Sequence, residues 1–263
     1  MTDLHKHDFN TNANITYDEV LDDILIDTDN NNEQSPSSLL HLHKISFEAG
    51  DGVRPWSDVM ILMKHLPRLK VKEALMTGDD DDVDEDDVDE NSKVIPLHYA
   101  AVNAPRSVID CMLALAPDAA RVKTPGGSLP LHYAASNNNV DAIKSLVKAY
   151  PEAVSERNSD GRTPFHWIAR HASCSVIDFV LTLARDAVYV KDSCGWLPLH
   201  YAAKYNNVDA VKSLTRAYQG AFVETNDDGD SPIDYLSLDE LFELPLLEIS
   251  YQALSNNRLL ETG

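Results

Sequence analysis

The sequence predicts an all-α solenoid: short helix–turn–helix units stacked in one row and joined by turns that project as fingers. Two observations carry this. The segment LPLHYAA at residues 129–135 returns at 197–203, with looser versions at 95–101 (IPLHYAA), 163–169 (TPFHWIA) and 231–236 (SPIDYL). The prolines of the five segments, Pro96, Pro130, Pro164, Pro198 and Pro232, stand 34 residues apart without slippage, and residues 129–150 match 197–218 at 17 of 22 positions. A fixed period between 20 and 50 residues marks an array in which each unit stacks only on its neighbours.

One period, residues 128–161, reads in order as follows. Pro130 suits the first turn of a helix, where its missing N–H costs nothing. Leu131, Ala134 and Ala135 follow at helical spacing, and the alanines allow a neighbouring helix to approach closely. Asn137-Asn138-Asn139 ends that helix, and Asn139 is a good N-cap for the next. Ala142, Ile143, Leu146 and Val147 form the apolar stripe of a second helix. Tyr150-Pro151 stops it, because a residue before proline is pushed out of the helical region. A loop leads to a turn whose glycine recurs at Gly127, Gly161, Gly195 and Gly229. Asp160-Gly161 and Asp228-Gly229 are tight-turn pairs in which glycine supplies positive φ.

This pattern resembles the ankyrin repeat. The signature D-x-x-G-x-T-P-L-H-x-A is met by DSCGWLPLHYA (192–202) and by NSDGRTPFHWI with Ala169; TPGGSLPLHYA (124–134) and NDDGDSPIDYL (226–236) are looser matches. The resemblance covers roughly residues 93–260. It implies a non-catalytic protein-interaction module, without cofactor or metal, whose target lies on the turn tips and the concave face. The chain departs from the pattern in places. Ile95, Leu129 and Leu197 lack the hydroxyl that Thr163 and Ser231 keep before proline, which predicts a lost capping oxygen and helices weaker by about 1 kcal/mol each. Asp234 replaces the repeated histidine in the last unit, and the period is one residue longer than the family's usual 33.

The flanks divide the chain further. Residues 1–38 form a polar N-terminal segment with one short amphipathic helix over 16–26, where Thr16 and Glu19 make a capping box. Residues 39–77 read as an imperfect N-terminal capping repeat, with 56–67 as its second helix. Residues 78–92 are an acidic insertion expected to stay disordered, since ten carboxylates in 79–90 cannot collapse on themselves. Residues 93–263 hold the array and its C-terminal cap.

Charge and composition narrow the function classes. Asp and Glu number 43 against 22 Lys and Arg, a net charge of −21. That balance disfavours a nucleic-acid backbone or an anionic membrane and points to a basic partner for any long-range attraction. Cys111, Cys174 and Cys194 form no paired framework, which suits a reducing compartment. With no apolar run of about 18 residues and no secretory leader pattern, the chain reads as an intracellular monomer, cytoplasmic or nuclear.

Any chemistry would centre on the repeated histidines, His98, His132, His166 and His200. Equivalent residues of stacked helices stand about 8–10 Å apart, too far to share one metal ion. A motif copied four times also converges on no single catalytic centre. The reading is structural: each imidazole ties adjacent turns together. The binding candidates are the variable position before the motif and the exposed first-helix positions. Trp196 heads them with Arg162, since a tryptophan there has no core role to fill and both residue types favour interface anchors; the equal alternative is that its ring lies flat on the next turn. Ser128, Asp230, Asn137, Arg170 and Tyr205 complete the set. The alternative function is a binder or chaperone of basic proteins through the acidic segment 79–90.

Overall fold

The computed structural model describes residues 44, 46, 48–50, 52, 55–65, 68–77 and 93–237. The expected helix over 16–26, the acidic insertion and the last helix of the C-terminal cap lie outside the described residues.

Ten α-helices can be delimited among the described residues. Two precede the regular units: α1 (Trp56–His65) and α2 (Arg68–Met76). Four pairs then repeat: α3 (Pro96–Asn103) with α4 (Arg106–Leu115), α5 (Pro130–Ser136) with α6 (Val140–Ala149), α7 (Pro164–His171) with α8 (Cys174–Leu183), and α9 (Pro198–Lys204) with α10 (Val208–Ala217). The first helices α3, α5, α7 and α9 pack in one row, the second helices α4, α6, α8 and α10 in another, and α2 lies against α3 and α4. This is an all-α repeat solenoid.

Each first helix starts at its proline, after an extended residue with ψ near 160°. The small residues behind it set the spacing. Ala100, Ala101, Ala134, Ala135, Ala202 and Ala203 are buried, so successive first helices approach without voids, while Leu97, Leu131, Phe165 and Leu199 fill the space between the rows. Asn138 turns the chain at φ 52°, and the Asn139 side chain both accepts from the Ala142 N–H at 3.2 Å and donates to the Ala101 and Ala104 carbonyls of the previous unit. Asn207 repeats this against Ala169 and Ala172. An N-cap thus doubles as a stitch between units.

The loop expected after each second helix contains a short 3₁₀ turn: Pro117–Arg121, Pro151–Ser155, Arg185–Tyr189 and Gln219–Val223. Each buries a pair such as Ala153-Val154 or Ala221-Phe222 against the core. In the last unit the described residues show only the 3₁₀ turn Pro232–Tyr235, which packs on α9.

Glycine is required at the fingers for two separate reasons. Gly161 sits at φ +70°, and a Cβ there would come within 2.6 Å of the Ser193 backbone nitrogen of the next finger. Gly229, at φ +88°, would meet nothing within 4 Å. Gly161→Ala is therefore expected to cost about 2–3 kcal/mol, and Gly229→Ala about 1 kcal/mol from the left-handed backbone alone. Equal urea midpoints for the two variants would refute the close-approach argument.

Candidate functional site

The fingers take their shape from one side chain in each. Asn158 Oδ1 accepts from the N–H groups of Asp160 and Arg162, Asp192 Oδ1 from Cys194 and Trp196, and Asn226 Oδ1 from Asp228 and Asp230. Such a turn closes the finger and presents the residue four positions on, which is the variable position singled out from sequence.

The carbonyl of that same residue receives the histidine of the preceding unit. His98 Nε2 lies 3.3 Å from the Ser128 oxygen, His132 3.1 Å from Arg162, His166 2.9 Å from Trp196 and His200 3.2 Å from Asp230. Each Nδ1 accepts at 3.0–3.1 Å from the N–H of its own helix N-cap, Ile95, Leu129, Thr163 or Leu197. A carbonyl can only accept and a backbone N–H can only donate, so each ring is the neutral Nε2–H tautomer. Burial pushes His98, His132 and His166 down to about 4 from the usual 6.5, and lowers His200 as well. With both nitrogens engaged, these rings have no lone pair left for a metal or a substrate proton.

This geometry corrects the capping expectation. The Thr163 hydroxyl meets His166 Nδ1 at 2.8 Å and caps no helix N–H. Ile95, Leu129 and Leu197 therefore forgo a bond to histidine rather than a backbone cap. In the last unit Asp234 Oδ2 accepts from both the N–H and the hydroxyl of Ser231, taking the place of Nδ1. A carboxylate has no N–H for a carbonyl of a further finger.

Trp196 packs on its own unit and on the following one, in the manner of the second of its two readings. Its half-buried ring lies 5.5 Å from Tyr201, 5.3 Å from Tyr235 and 5.6 Å from His200. Lys204 Nζ stands 4.4 Å over the indole and 5.5 Å over Tyr235. Arg162 lies 5.6 Å over Trp167; Arg170 lies 5.6 Å over Trp167 and 3.8 Å over Tyr205. Trp167 and Tyr201, 6.4 Å apart, join the two halves. Arg162, Arg170, Tyr205 and Trp196 are thus brought into one network. Asp230 touches its edge by accepting the Tyr235 hydroxyl at 2.8 Å. Ser128 is half-buried one finger earlier. Asn137 is exposed and closes the end of α5 by donating to the Tyr133 carbonyl at 3.0 Å. Neither belongs to the network. Lys204, one of the exposed first-helix positions that change between copies, joins it; Trp167 and Tyr201, which read from sequence as core or stacking residues, and Tyr235, one period after Tyr201, join it without being legible as binding candidates.

Electrostatically the face differs from the whole chain. Residues 93–237 contain 14 Lys and Arg against 15 Asp and Glu, so nearly all of the −21 lies outside the array. The first helices α3, α5, α7 and α9 contain no acidic residue. Among the described residues, neither Arg170 nor Lys204 has a carboxylate within 4.0 Å, while Arg162 reaches Asp160 only at 3.8 Å. The nearby carboxylates are occupied by phenols: Asp192 accepts Tyr201 at 2.7 Å, as Asp230 accepts Tyr235. Burial and these bonds push both phenols up, Tyr235 to about 12.

The family model for ankyrin repeats (3 copies) matches residues 97–188 and 131–227. No curated protein matches the sequence. Among the described residues, no helix is long and apolar enough to cross a membrane.

Proposed function

Because the chain is an ankyrin repeat protein, we propose that it works as a non-catalytic module that binds one protein partner across its first-helix face and finger tips. Ankyrin repeats are generally protein-interaction units. The observation that carries the reading is the network of Arg162, Trp167, Arg170, Trp196, Tyr201, Lys204 and Tyr205. Around the buried Tyr201 it sets large amphipathic side chains, of the kind that dominate interface energetics, side by side on one surface. Tyr205 is 45% exposed, so part of this area is open to a partner. Helices α1 and α2, packed on the first regular unit, support residues 39–77 as an N-terminal cap. The free thiols of Cys111, Cys174 and Cys194 suit a reducing, intracellular compartment, cytoplasmic or nuclear.

Affinity capture from cell extract separates this reading from the acidic-segment alternative. The Arg170→Ala/Tyr205→Ala double variant is expected to lose its captured partner by about tenfold, while deletion of residues 79–90 keeps it. The reverse pattern, loss with the deletion and retention in the double variant, would assign binding to the acidic segment.

A further inference from the structure

The partner's chemistry follows from how the cations on the first-helix face are held. Elsewhere in the array, Arg106, Lys123 and Lys191 each sit within 3.0 Å of a carboxylate oxygen. Here aromatic rings position the cations. The Arg170 guanidinium lies against Tyr205 and Trp167, Lys204 stands over Trp196 and Tyr235, and Arg162 stands over Trp167. A ring orients a cation through its quadrupole but leaves the full unit charge in place. Arg170 Nε is also covered, with no hydrogen-bond acceptor among the described residues. Three positive charges are thus fixed on adjacent units with aromatic surface between them; Arg162 is partly compensated by Asp160 and Asp192, whereas neither Arg170 nor Lys204 has a carboxylate within 4.0 Å among the described residues.

Resting on the reading of this face as the interaction surface, we propose that it recognises an acidic segment of the partner protein. Carboxylates of that segment pair with Arg162, Arg170 and Lys204, and apolar side chains between them cover the rings. Charge complementarity argues for this occupant. The first helices carry cations and no acidic residue, and the exposed carboxylates Asp160, Asp227 and Asp228 lie on the finger tips, so a basic segment laid on the first helices would meet like charge at Arg170 and Lys204. A nucleic-acid strand fits less well, because residues 93–237 have no cationic excess and three cations do not make the long basic track that a phosphate backbone needs. The whole-chain balance of −21, which on its own points to a basic partner, acts at long range. The three cations act at contact, where ring packing removes water and strengthens each pair.

Fluorescence anisotropy on the full chain tests the proposal with four labelled probes of equal length. One is a peptide alternating glutamate with leucine and phenylalanine; the second replaces glutamate with glutamine, the third with lysine, and the fourth is a single-stranded oligonucleotide. The acidic peptide is expected to bind at least about tenfold more tightly than the glutamine peptide. Lys204→Glu, a change at an exposed position, is expected to erase that preference while keeping a single cooperative urea transition, its midpoint lowered only slightly by loss of the contact with Trp196 and Tyr235. Deleting residues 79–90 is expected to strengthen acidic-peptide binding by removing like charge. Equal binding of the acidic and glutamine peptides overturns the proposal, as does preference for the lysine peptide or the oligonucleotide. If capture of a partner still depends on Arg170 and Tyr205, those outcomes leave the interaction face itself standing and remove only its acidic specificity.

Discussion

Lowering the pH from about 7 to about 5 is expected to destabilise the array by several kcal/mol, with the loss concentrated below about pH 6.5. The cause is the column of buried neutral imidazoles. His98, His132 and His166 are held down to about 4 by burial, whereas the same residues in the unfolded chain titrate near 6.5. Between those values the unfolded chain binds more protons than the folded one, so stability is complete above the unfolded pKa and falls as pH drops towards the folded pKa. Each of the three contributes a loss of roughly 2 kcal/mol by about pH 5, and they act together because they occupy equivalent sites. Geometry gives the same sign. Protonated Nδ1 would face the N–H that it now accepts from, setting donor against donor in the core. Urea midpoints measured across this range check the expectation, and a flat profile between about pH 7 and about pH 5 would sink it.

His166→Ala is expected to cost about 3–5 kcal/mol at neutral pH, more than either glycine substitution in the fingers. The ring is fully buried, accepts the Thr163 N–H at 3.1 Å, meets the Thr163 hydroxyl at 2.8 Å and bonds the Trp196 carbonyl at 2.9 Å. Alanine leaves the Thr163 N–H and hydroxyl without the ring, removes one of the two donors to the Trp196 carbonyl (the Asp192 N–H remains at 2.9 Å), and opens a cavity beside Tyr201, whose ring is 5.1 Å away. The variant is also expected to show a shallower loss of stability in acid, because one of the titrating groups is gone. Hydrogen exchange at the 192–197 finger should accelerate. A stability within about 1 kcal/mol of wild type would show that the imidazole is dispensable as a stitch.

The fold is largely legible in the sequence because a 34-residue period leaves little freedom. Once proline, histidine and glycine recur in register, each unit buries its apolar stripe only by stacking on the next copy. The 3₁₀ turns escape the pattern, though a signal for them is present: a small or apolar pair recurs at Ala119-Ala120, Ala153-Val154, Ala187-Val188 and Ala221-Phe222. Segments this short leave no room for a helical stripe to emerge. The capping expectation fails because it assigns the hydroxyl of Thr163 to the helix amides when a histidine three residues on is a nearer partner.

At the candidate face the limit is different. Arg162, Arg170, Trp196 and Tyr205 stand out in the sequence because they vary at positions freed from packing. Their grouping with Trp167, Tyr201, Lys204 and Tyr235 is not legible there, since those residues come from separate units and meet only through stacking. Trp196 reads equally as an anchor or as a ring packed on the next turn, because its sequence neighbours only define a turn; its partners lie in α9 and in the following unit. By itself the sequence determined the units, their order and the histidine column, because those depend on spacing within a repeating chain. Only the tertiary structure decided which cations lie on rings and which carboxylates are taken up by phenols. Local charge depends on distances between units, and a net charge counted along the chain contains no distances.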